Sequence, residues 1–351
     1  MSNAKNMKKF SLIFGAVIVV NIIFLFLGIK PKDILSSEKP ALRVGLVFDV
    51  GGRGDKSFND SAYNGLQRAI KELKISAEYI EPGEGSDRES ALRLLAAQNY
   101  DLIIGVGFIF TDDVTNVAKE YPNKKFACID YVVKVDENGK DVPPPSNISA
   151  IKFKEEEGSY LVGALAALMS KTDNIGFIGG MDIPLIHKFE AGYKAGATAV
   201  KPDIEIITNY AGVTGAAFKD PAKGKELAMS QYSDDVDIIY HASGATGMGV
   251  FEAARNLDKL AIGVDSDQYY EAPGFILTSM VKKVDVAVFN TIKDCIEGKF
   301  IGGVKVLGVK EDGVGFVYDK NNKDMIPEDV IKQVNLLKEN IINGKIKVPS
   351  S

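Results

Sequence analysis

From Leu42 onward, short runs of β-branched and aliphatic residues alternate with segments whose apolar residues recur at helical spacing. The first run is LRVGLVFD, and a helical segment, SFNDSAYNGLQRAIKEL, follows it. One face of that predicted helix collects Ala62, Leu66, Ala69, Ile70 and Leu73. Three further strand-like runs follow with helical segments between them: ISAEYI, DLIIGVG and KFACID. This alternation predicts an α/β fold with a parallel sheet covered by helices on both faces.

The second half of the chain repeats this series after the turn-rich stretch DENGKDVPPPSN. NIGFIGG is similar to the first strand, VDIIYHASG to DLIIGVGFI, and LAIGVDS to FACIDY, each at a comparable place in its half. We therefore predict two doubly wound lobes, one built from residues 42–147 and 278–302 and the other from residues 148–277 and 303–351. Several crossings of the chain between the lobes predict a hinge that permits closure.

Three aspartates, Asp49, Asp130 and Asp265, follow or end predicted strands. Ligands of doubly wound sheets bind beyond the carboxyl ends of the strands, so these positions are candidates for a site. Aspartate is also a favoured residue at helix N-termini, and each of the three therefore has a structural interpretation as well. Their recurrence at equivalent strand ends favours a ligand site.

The amino-terminal segment predicts attachment to a membrane. Lys5, Lys8 and Lys9 precede a nearly continuous apolar stretch over residues 10–29, which is long enough to span a bilayer. Basic residues on the short amino-terminal side favour a cytoplasmic amino terminus, with the remainder of the chain outside, in the periplasm or on the cell surface. We expect residues 1–30 to form a membrane anchor or uncleaved signal and residues 31–41 to form a linker.

The composition disfavours nucleic acid as a partner and limits metal chemistry. The formal net charge is -5, whereas binding to a phosphate backbone needs clustered cations. The chain has two cysteines, Cys128 and Cys295, and two histidines, His187 and His241, too few for a zinc or iron–sulfur site. A single disulfide is conceivable, but two buried free thiols are favoured. Each histidine either lines a cleft or has a structural role.

No pattern of an enzyme emerges, and we expect neither a cofactor nor a catalytic site. GGRGDKS lacks the Gly-Lys-Ser order of a phosphate-binding loop, and the glycine spacing of a dinucleotide-binding strand–helix turn is also missing. With two histidines in unrelated contexts, no nucleophile–base set assembles.

Four motifs carry a resemblance to a known family. The block VFDVGGRGDKSFNDSAYNGL, together with FEAGYKAG, GVDSDQ and LTSMVKKVD further on, resembles the basic membrane protein family of ABC-transporter binding proteins. Purine-nucleoside receptors are its best-known members, and the resemblance covers nearly everything from Leu42 onward. It implies a type I periplasmic-binding-protein fold, with two parallel-sheet lobes joined by a hinge and a nucleoside in the cleft.

The resemblance also implies which residues would contact the base. Phe58 in DKSFN would stack on one face of the base and Phe189 in KFEAGYKAG on the other, while Asn59 would hydrogen-bond the base edge. Asp49 and Asp130 would meet the polar edge of the ligand. Aromatic rings hold a flat base through dispersion and displacement of water, so the assignment is chemically sensible.

The resemblance places three more residues at the sugar. Asp265 in GVDSDQ would accept hydrogen bonds from ribose hydroxyls, Lys282 in TSMVKK would donate to the sugar, and Gly244 in HASGATG would let backbone approach the ligand. Asp55 and Lys56 have a simpler interpretation as a helix cap and a solvated loop.

We therefore expect an extracytoplasmic solute-binding protein that captures a purine nucleoside such as guanosine, adenosine or inosine and delivers it to an ABC permease. The alternative is a membrane-anchored sensory or interaction module that binds a nucleoside or another small polar ligand without transport. Many relatives are lipoproteins with a cysteine just after the signal, but no cysteine occurs before Cys128. We expect the apolar amino-terminal segment to anchor the protein instead.

Overall fold

A computed structural model describes residues 40–82 and 87–351. The predicted anchor at 1–30 and nearly all of the predicted linker at 31–41 lie outside the described residues. Within 40–82 and 87–351, no helix combines the length and the apolar character needed to cross a membrane.

The described chain alternates strands and helices as predicted. The strands are β1 (Arg43–Val47), β2 (Ser76–Ile80), β3 (Leu102–Val106), β4 (Lys125–Ile129), β5 (Lys134–Val135), β6 (Asp141–Val142), β7 (Ile148–Phe153), β8 (Asn174–Met181), β9 (Glu205–Gly212), β10 (Ile238–Ala242), β11 (Leu260–Asp265), β12 (Ile276–Lys282), β13 (Gly303–Leu307) and β14 (Val314–Phe316). The helices are α1 (Phe58–Leu73), α2 (Asp87–Ala97), α3 (Thr111–Glu120), α4 (Glu155–Met169), α5 (Pro184–Val200), α6 (Pro221–Ser233), α7 (Gly247–Leu257), α8 (Val284–Ile296) and α9 (Glu328–Ile342).

Two six-stranded sheets organise these elements. The first has the order β13-β7-β4-β3-β1-β2 and the second the order β14-β12-β11-β10-β8-β9. Within these two sheets every pair is parallel except that of β12 with the edge strand β14. β5 and β6 form a separate antiparallel pair. Central strands such as β3, LIIGV, are buried throughout, which explains their continuous apolar runs. The predicted α/β architecture with parallel sheets is confirmed.

The internal similarity of the two halves is also confirmed. β8 occupies the place of β1, β10 that of β3, and β11 that of β4 when the two strand orders are aligned. The carboxyl ends of equivalent strands therefore carry equivalent positions in the two lobes.

The predicted lobe boundaries at 148, 278 and 303 are wrong. β7, assigned to the second lobe, pairs with β4 in the first sheet, and β13 pairs with β7 there too. β12, assigned in large part to the first lobe, pairs with β11 in the second sheet. The chain therefore crosses from one lobe to the other after β7, after β12 and after β13, each time at the end of a strand and not before it. Apolar strands such as β7 and β12 suit either sheet equally, so their pattern could not reveal which sheet each strand joins.

Leu42–Ser351 form one compact unit. The largest buried apolar cluster contains side chains from both sheets, among them Ile129 of β4, Phe177 of β8 and Met280 of β12. The two lobes thus share a continuous core, and their cleft opens beside it.

Helices α4 and α5 approach each other closely through glycines. A Cβ atom at Gly163 would overlap the carbonyl oxygen of Tyr193, and one at Gly192 would overlap that of Glu156. Only glycine permits backbones to pack at this distance. The contact holds α4, the helix that follows β7, against α5, the helix that carries Phe189.

We predict that Gly192→Ala lowers the free energy of unfolding by roughly 1–3 kcal/mol, because the added methyl group must push α5 away from α4. Thermal unfolding followed by circular dichroism measures the effect. Thr198→Ala, on the exposed side of the same helix, is the matched control and should change stability by less than about 0.5 kcal/mol. Equal stability of the two variants would contradict this account of the helix contact.

Candidate functional site

A cavity that is partly open to solvent lies where the carboxyl ends of the two sheets face each other. All eight residues that the sequence resemblance singled out line it: Asp49, Phe58, Asn59, Asp130, Phe189, Gly244, Asp265 and Lys282. The fold brings them together because each follows or ends a central strand or lies in a helix that begins beside the cleft. Their roles toward a ligand remain predictions.

Sequence reasoning missed other residues that line the same cavity. They are Gly51, Asp55, Gly107, Phe108, Leu185, Ile186, Phe218, Ala242 and Val264. Gly107 and Phe108 directly follow β3. Their position could have identified them, since the site was expected at the carboxyl ends of the strands. Phe218 ends a single turn of 3₁₀ helix, Gly215–Phe218, that no sequence motif marks.

Asp130 and Asp265 occupy equivalent places, one just beyond β4 and the other at the end of β11. Both adopt left-handed backbone conformations, with φ of 62° and 64°. Such φ values are uncommon outside glycine, although aspartate tolerates them better than most residues, and they concentrate at functional sites. The shared conformation aims both carboxylates into the cleft from opposite lobes.

Lys282, at the end of β12, is the cation of a buried ionic cluster. Its Nζ lies 2.7 Å from Asp130 Oδ2 and 3.0 Å from Glu155 Oε1, and the side chain is 2% exposed. Burial disfavours the charged ammonium, but the charges of Asp130 and Glu155 prevail and raise the pKa of Lys282 above its ordinary value. The cluster joins the first sheet, the second sheet and the start of α4.

This pairing modifies the predicted roles of Lys282 and Asp130. Lys282 Nζ donates a hydrogen bond to Asp130 Oδ2, whereas Glu155 Oε1 is an ion-pair partner at 3.0 Å that accepts no hydrogen bond among the described residues. Asp130 Oδ1 is buried and has no hydrogen-bond partner among the described residues. Burial raises the pKa of Asp130, and the charge of Lys282 opposes that shift. Asp130 therefore offers a single free acceptor rather than a whole carboxylate.

Glu155 is a member of the cluster that no sequence signal marked. It also pairs with Lys188, whose Nζ lies 3.2 Å from Glu156 Oε2. Burial disfavours ionisation of Glu155, but the charges of Lys282 and Lys188 lower its pKa. The two lysines thus keep this fully buried carboxyl ionised.

Asn59 holds two carboxylates in place. Its Nδ2 donates to Asp49 Oδ1 at 2.7 Å and to Asp55 Oδ2 at 3.0 Å, so both amide protons are used within the protein. Its Oδ1 accepts from the backbone N–H of Asp49 at 3.3 Å. In this arrangement Asn59 orients Asp49. Because its amide protons and its Oδ1 already have partners within the protein, these hydrogen bonds do not favour the predicted contact of Asn59 with a base edge.

Asp55 caps helix α1, as its simpler interpretation predicted. Its carboxylate accepts from the backbone N–H groups of Ser57, Asn59 and Asp60 at 2.8–3.1 Å. The side chain of Asp55 is buried by the loop that it organises.

Four carboxyl groups of the cavity have raised pKa values: those of Asp49, Asp55, Asp130 and Asp265. Burial raises the pKa of Asp49 to about 6, against the hydrogen bond from Asn59. Burial raises the pKa of Asp265 to about 7, opposed by the charge of Lys282 and by the hydroxyl of Ser57, which donates to Asp265 Oδ2. Burial is the largest cause of both of these shifts, so ionising these carboxyl groups inside the ligand-free cavity is unfavourable.

Aromatic rings surround the ammonium of Lys282. Its Nζ lies 5.0 Å from the ring centroid of Phe58, 5.1 Å from that of Phe153 and 5.7 Å from that of Phe189. Phe58 comes from the first lobe and Phe189 from the second. The two predicted stacking rings therefore share one cavity and approach it from opposite lobes.

The histidines and cysteines lie outside this cavity. His241 is fully buried and bonds to Gln268 Oε1 at 3.2 Å, and burial lowers its pKa to about 4, so its role is structural. His187 pairs with Asp182 at 2.7 Å near the surface. In the described part of the chain, Cys128 and Cys295 are buried free thiols, which agrees with the favoured interpretation.

Comparison with known proteins identifies the family. The model of a family described as ABC transporter substrate-binding protein PnrA-like matches residues 42–351. The chain belongs to this PnrA-like family. The resemblance inferred from DKSFN, GVDSDQ and TSMVKK is thereby confirmed, and a family of substrate-binding proteins is consistent with the expectation that the chain is not an enzyme.

Individual PnrA-like relatives match over most of their length. Basic membrane protein A of Borreliella burgdorferi is 38% identical, over 93% of this chain and 93% of the relative. The ABC transporter nucleoside-binding protein BmpA of Lactococcus lactis subsp. cremoris is 34% identical, over 98% and 100%. The crystal structure of an ABC transporter solute-binding protein from Aeropyrum pernix K1 superposes with a TM-score of 0.78 at 32% identity, covering 88% of this chain and 94% of that one.

The raised pKa of Asp265 predicts that this residue destabilises the folded PnrA-like protein by an amount that depends on pH. Between about pH 4 and pH 7 the folded protein retains a proton that the unfolded chain has released, so this residue lowers stability as pH rises. Asp265→Asn should therefore raise the melting temperature of the ligand-free protein at pH 8 by about 3–8 °C, with a smaller gain near pH 5.

Differential scanning calorimetry at the two pH values measures this effect. Asp203→Asn, which removes the same charge from an exposed site, is the matched control and should leave the melting temperature nearly unchanged. A lower melting temperature for Asp265→Asn at pH 8 would contradict the proposed electrostatic cost.

Proposed function

We propose that this protein captures a nucleoside, preferentially a purine nucleoside, in the cleft between its lobes and presents it to an ABC permease. The observation that carries the proposal is that eight residues drawn from distant parts of the sequence line one cavity. Membership of an ABC transporter substrate-binding family supports the transport role. The name of the Lactococcus relative supports a nucleoside as the ligand.

The chemistry of the cavity suits the two parts of a nucleoside. Phe58 and Phe189 provide apolar faces from opposite lobes for a flat base. Asp265 and the free Oδ1 of Asp130 provide acceptors for ligand hydroxyl groups. Charge-assisted hydrogen bonds of this kind are strong in a site from which water is excluded. A ligand rich in donors offsets the electrostatic cost of the clustered carboxylates.

The same charges disfavour phosphorylated ligands. Asp49, Asp130 and Asp265 face the cavity, while Lys282 is already paired with Asp130 and Glu155. A phosphate group would meet carboxylates without a free cation to compensate it. We therefore propose that nucleosides bind and nucleotides do not.

The proposal places the binding domain outside the cytoplasm. The basic residues before the apolar segment at 10–29 favour this orientation, and the Borreliella relative is named as a membrane protein. Anchoring through the segment at 10–29 belongs to the proposal, since that segment lies outside the described residues.

Isothermal titration calorimetry of residues 42–351 with guanosine, inosine, adenosine, guanosine monophosphate and ribose tests the ligand class. We expect at least one purine nucleoside to bind with a dissociation constant of about 1 μM or tighter. Asp265→Ala should weaken binding by on the order of 2 kcal/mol, roughly thirtyfold, because ligand hydroxyls lose a buried acceptor.

Arg53→Ala is the control for that variant. Arg53 is exposed and stacks on Tyr63 beside the cleft without lining the cavity, so its loss should change affinity less than about twofold. Binding of ribose without any purine nucleoside would overturn the stacking model. Equal effects of the two variants would remove Asp265 from the site.

A further inference from the structure

Gln268 connects the two lobes without lining the ligand cavity. It follows Asp265 in the GVDSDQ motif and is 2% exposed. Its Nε2 donates across the cleft to the carbonyl oxygen of Lys56 at 3.0 Å. Its Oε1 accepts from the backbone N–H of Val264, within its own lobe, at 2.7 Å.

The two partners of Gln268 flank another contact between the lobes. Lys56 precedes Ser57, whose hydroxyl donates to Asp265, and Val264 precedes Asp265. Besides a longer bond of 3.5 Å from Ser266 Oγ to the carbonyl oxygen of Ser57, two adjacent side-chain bonds join the loop before α1 to the loop after β11. One comes from the first lobe, through Ser57, and the other from the second lobe, through Gln268.

The direction of the Gln268 amide is determined by its own lobe. His241 Nε2 lies 3.2 Å from Gln268 Oε1, and the backbone N–H of Gln268 donates to Ser279 Oγ at 3.1 Å. Burial keeps His241 neutral, and Ser243 Oγ lies 3.2 Å from its Nδ1, which suits a proton on Nε2. Since Oε1 is held by two donors, the NH₂ group must face Lys56.

The residue of the first lobe that accepts this hydrogen bond, Lys56, has an uncommon backbone conformation. Lys56 adopts a left-handed conformation with φ of 56°, which is uncommon for a residue other than glycine. Backbone strain of this kind persists where surrounding contacts require it. Here the partner of the strained residue is the amide of Gln268, on the opposite side of the cleft.

We propose that Gln268 is a positioning residue that clasps the closed cleft and thereby sets how long the ligand stays bound. When the lobes separate, its bond to Lys56 and the bond of Ser57 to Asp265 break together. When they close, Gln268 holds the Ser57 loop against the loop that carries Asp265. The part of this inference that concerns ligand residence rests on the proposed nucleoside function, whereas the clasp itself does not.

Gln268→Glu tests the clasp with a nearly isosteric change. The carboxylate keeps an acceptor for Val264 and His241, but it places an oxygen against the carbonyl oxygen of Lys56 and so loses the bond between the lobes. We expect the dissociation rate of guanosine, measured by surface plasmon resonance on immobilised protein, to rise at least about tenfold. The association rate should change less than about threefold.

Gln231→Glu is the matched control. Gln231 is a glutamine of the same lobe, 1% exposed, whose Nε2 donates to the carbonyl oxygens of Phe177 and Ile207. Its replacement removes equivalent bonds within one lobe, so it should lower the melting temperature and leave the guanosine dissociation rate unchanged. Equal dissociation rates of wild type and Gln268→Glu would overturn the clasp.

Two further measurements keep the result decisive. If Gln268→Glu does not fold, Ser57→Ala removes the adjacent bond from the other lobe, and the same rise in dissociation rate is expected. If the wild type binds no guanosine, the proposed function fails, and small-angle scattering of ligand-free protein then tests the clasp alone. A larger radius of gyration for Gln268→Glu than for wild type supports it, and identical radii refute it.

Discussion

The arrangement of the cleft depends on one buried ammonium group. Lys282 reaches from the second sheet to Asp130 at the end of the first sheet and to Glu155 at the start of α4. Removing an ion from water costs several kcal/mol unless it is paired, so these three elements are held in a single relative position. The rings of Phe58 and Phe189 take their places around this ammonium.

The same cluster explains why the site is prepared for a ligand rich in donors. Lys282 satisfies one oxygen of Asp130, while the other oxygen of that carboxylate and the carboxylate of Asp265 retain acceptor capacity inside the cleft. Asp49 is likewise oriented by Asn59 and held in an environment that raises its pKa. Buried carboxyl groups of this kind lower the stability of the ligand-free protein. A ligand that hydrogen-bonds to them removes part of this destabilisation when it binds.

Local sequence patterns were enough to predict the strand–helix alternation, the similarity of the two halves and the position of the cleft. Parallel strands that are buried on both faces appear in the sequence as continuous apolar runs with polar residues at their ends. Four of the eight predicted cavity residues were found because DKSFN, GVDSDQ and TSMVKK kept the order of a known family. Phe189, Gly244 and Asp130 came from the shorter motifs KFEAGYKAG, HASGATG and CIDY, and Asp49 from the end of the first strand. The exchange of β7, β12 and β13 between sheets was missed, since an apolar strand carries no mark of the sheet that it joins. The pairing of Glu155 with Lys282 depends on side chains far apart in sequence, which no local pattern encodes. The partners of Asn59 lie within ten residues of it, but no hydrophobic period or motif shows which hydrogen bonds its amide makes.

A crystal structure of residues 42–351 with bound guanosine, grown near pH 7.5, tests the central claim most directly. The account predicts the base between Phe58 and Phe189, with ribose hydroxyls within hydrogen-bond distance of Asp265 and of Asp130 Oδ1, and with Lys282 still paired to Glu155. Guanosine bound elsewhere, or a Lys282 ammonium displaced from Asp130 and Glu155 into solvent, would contradict it.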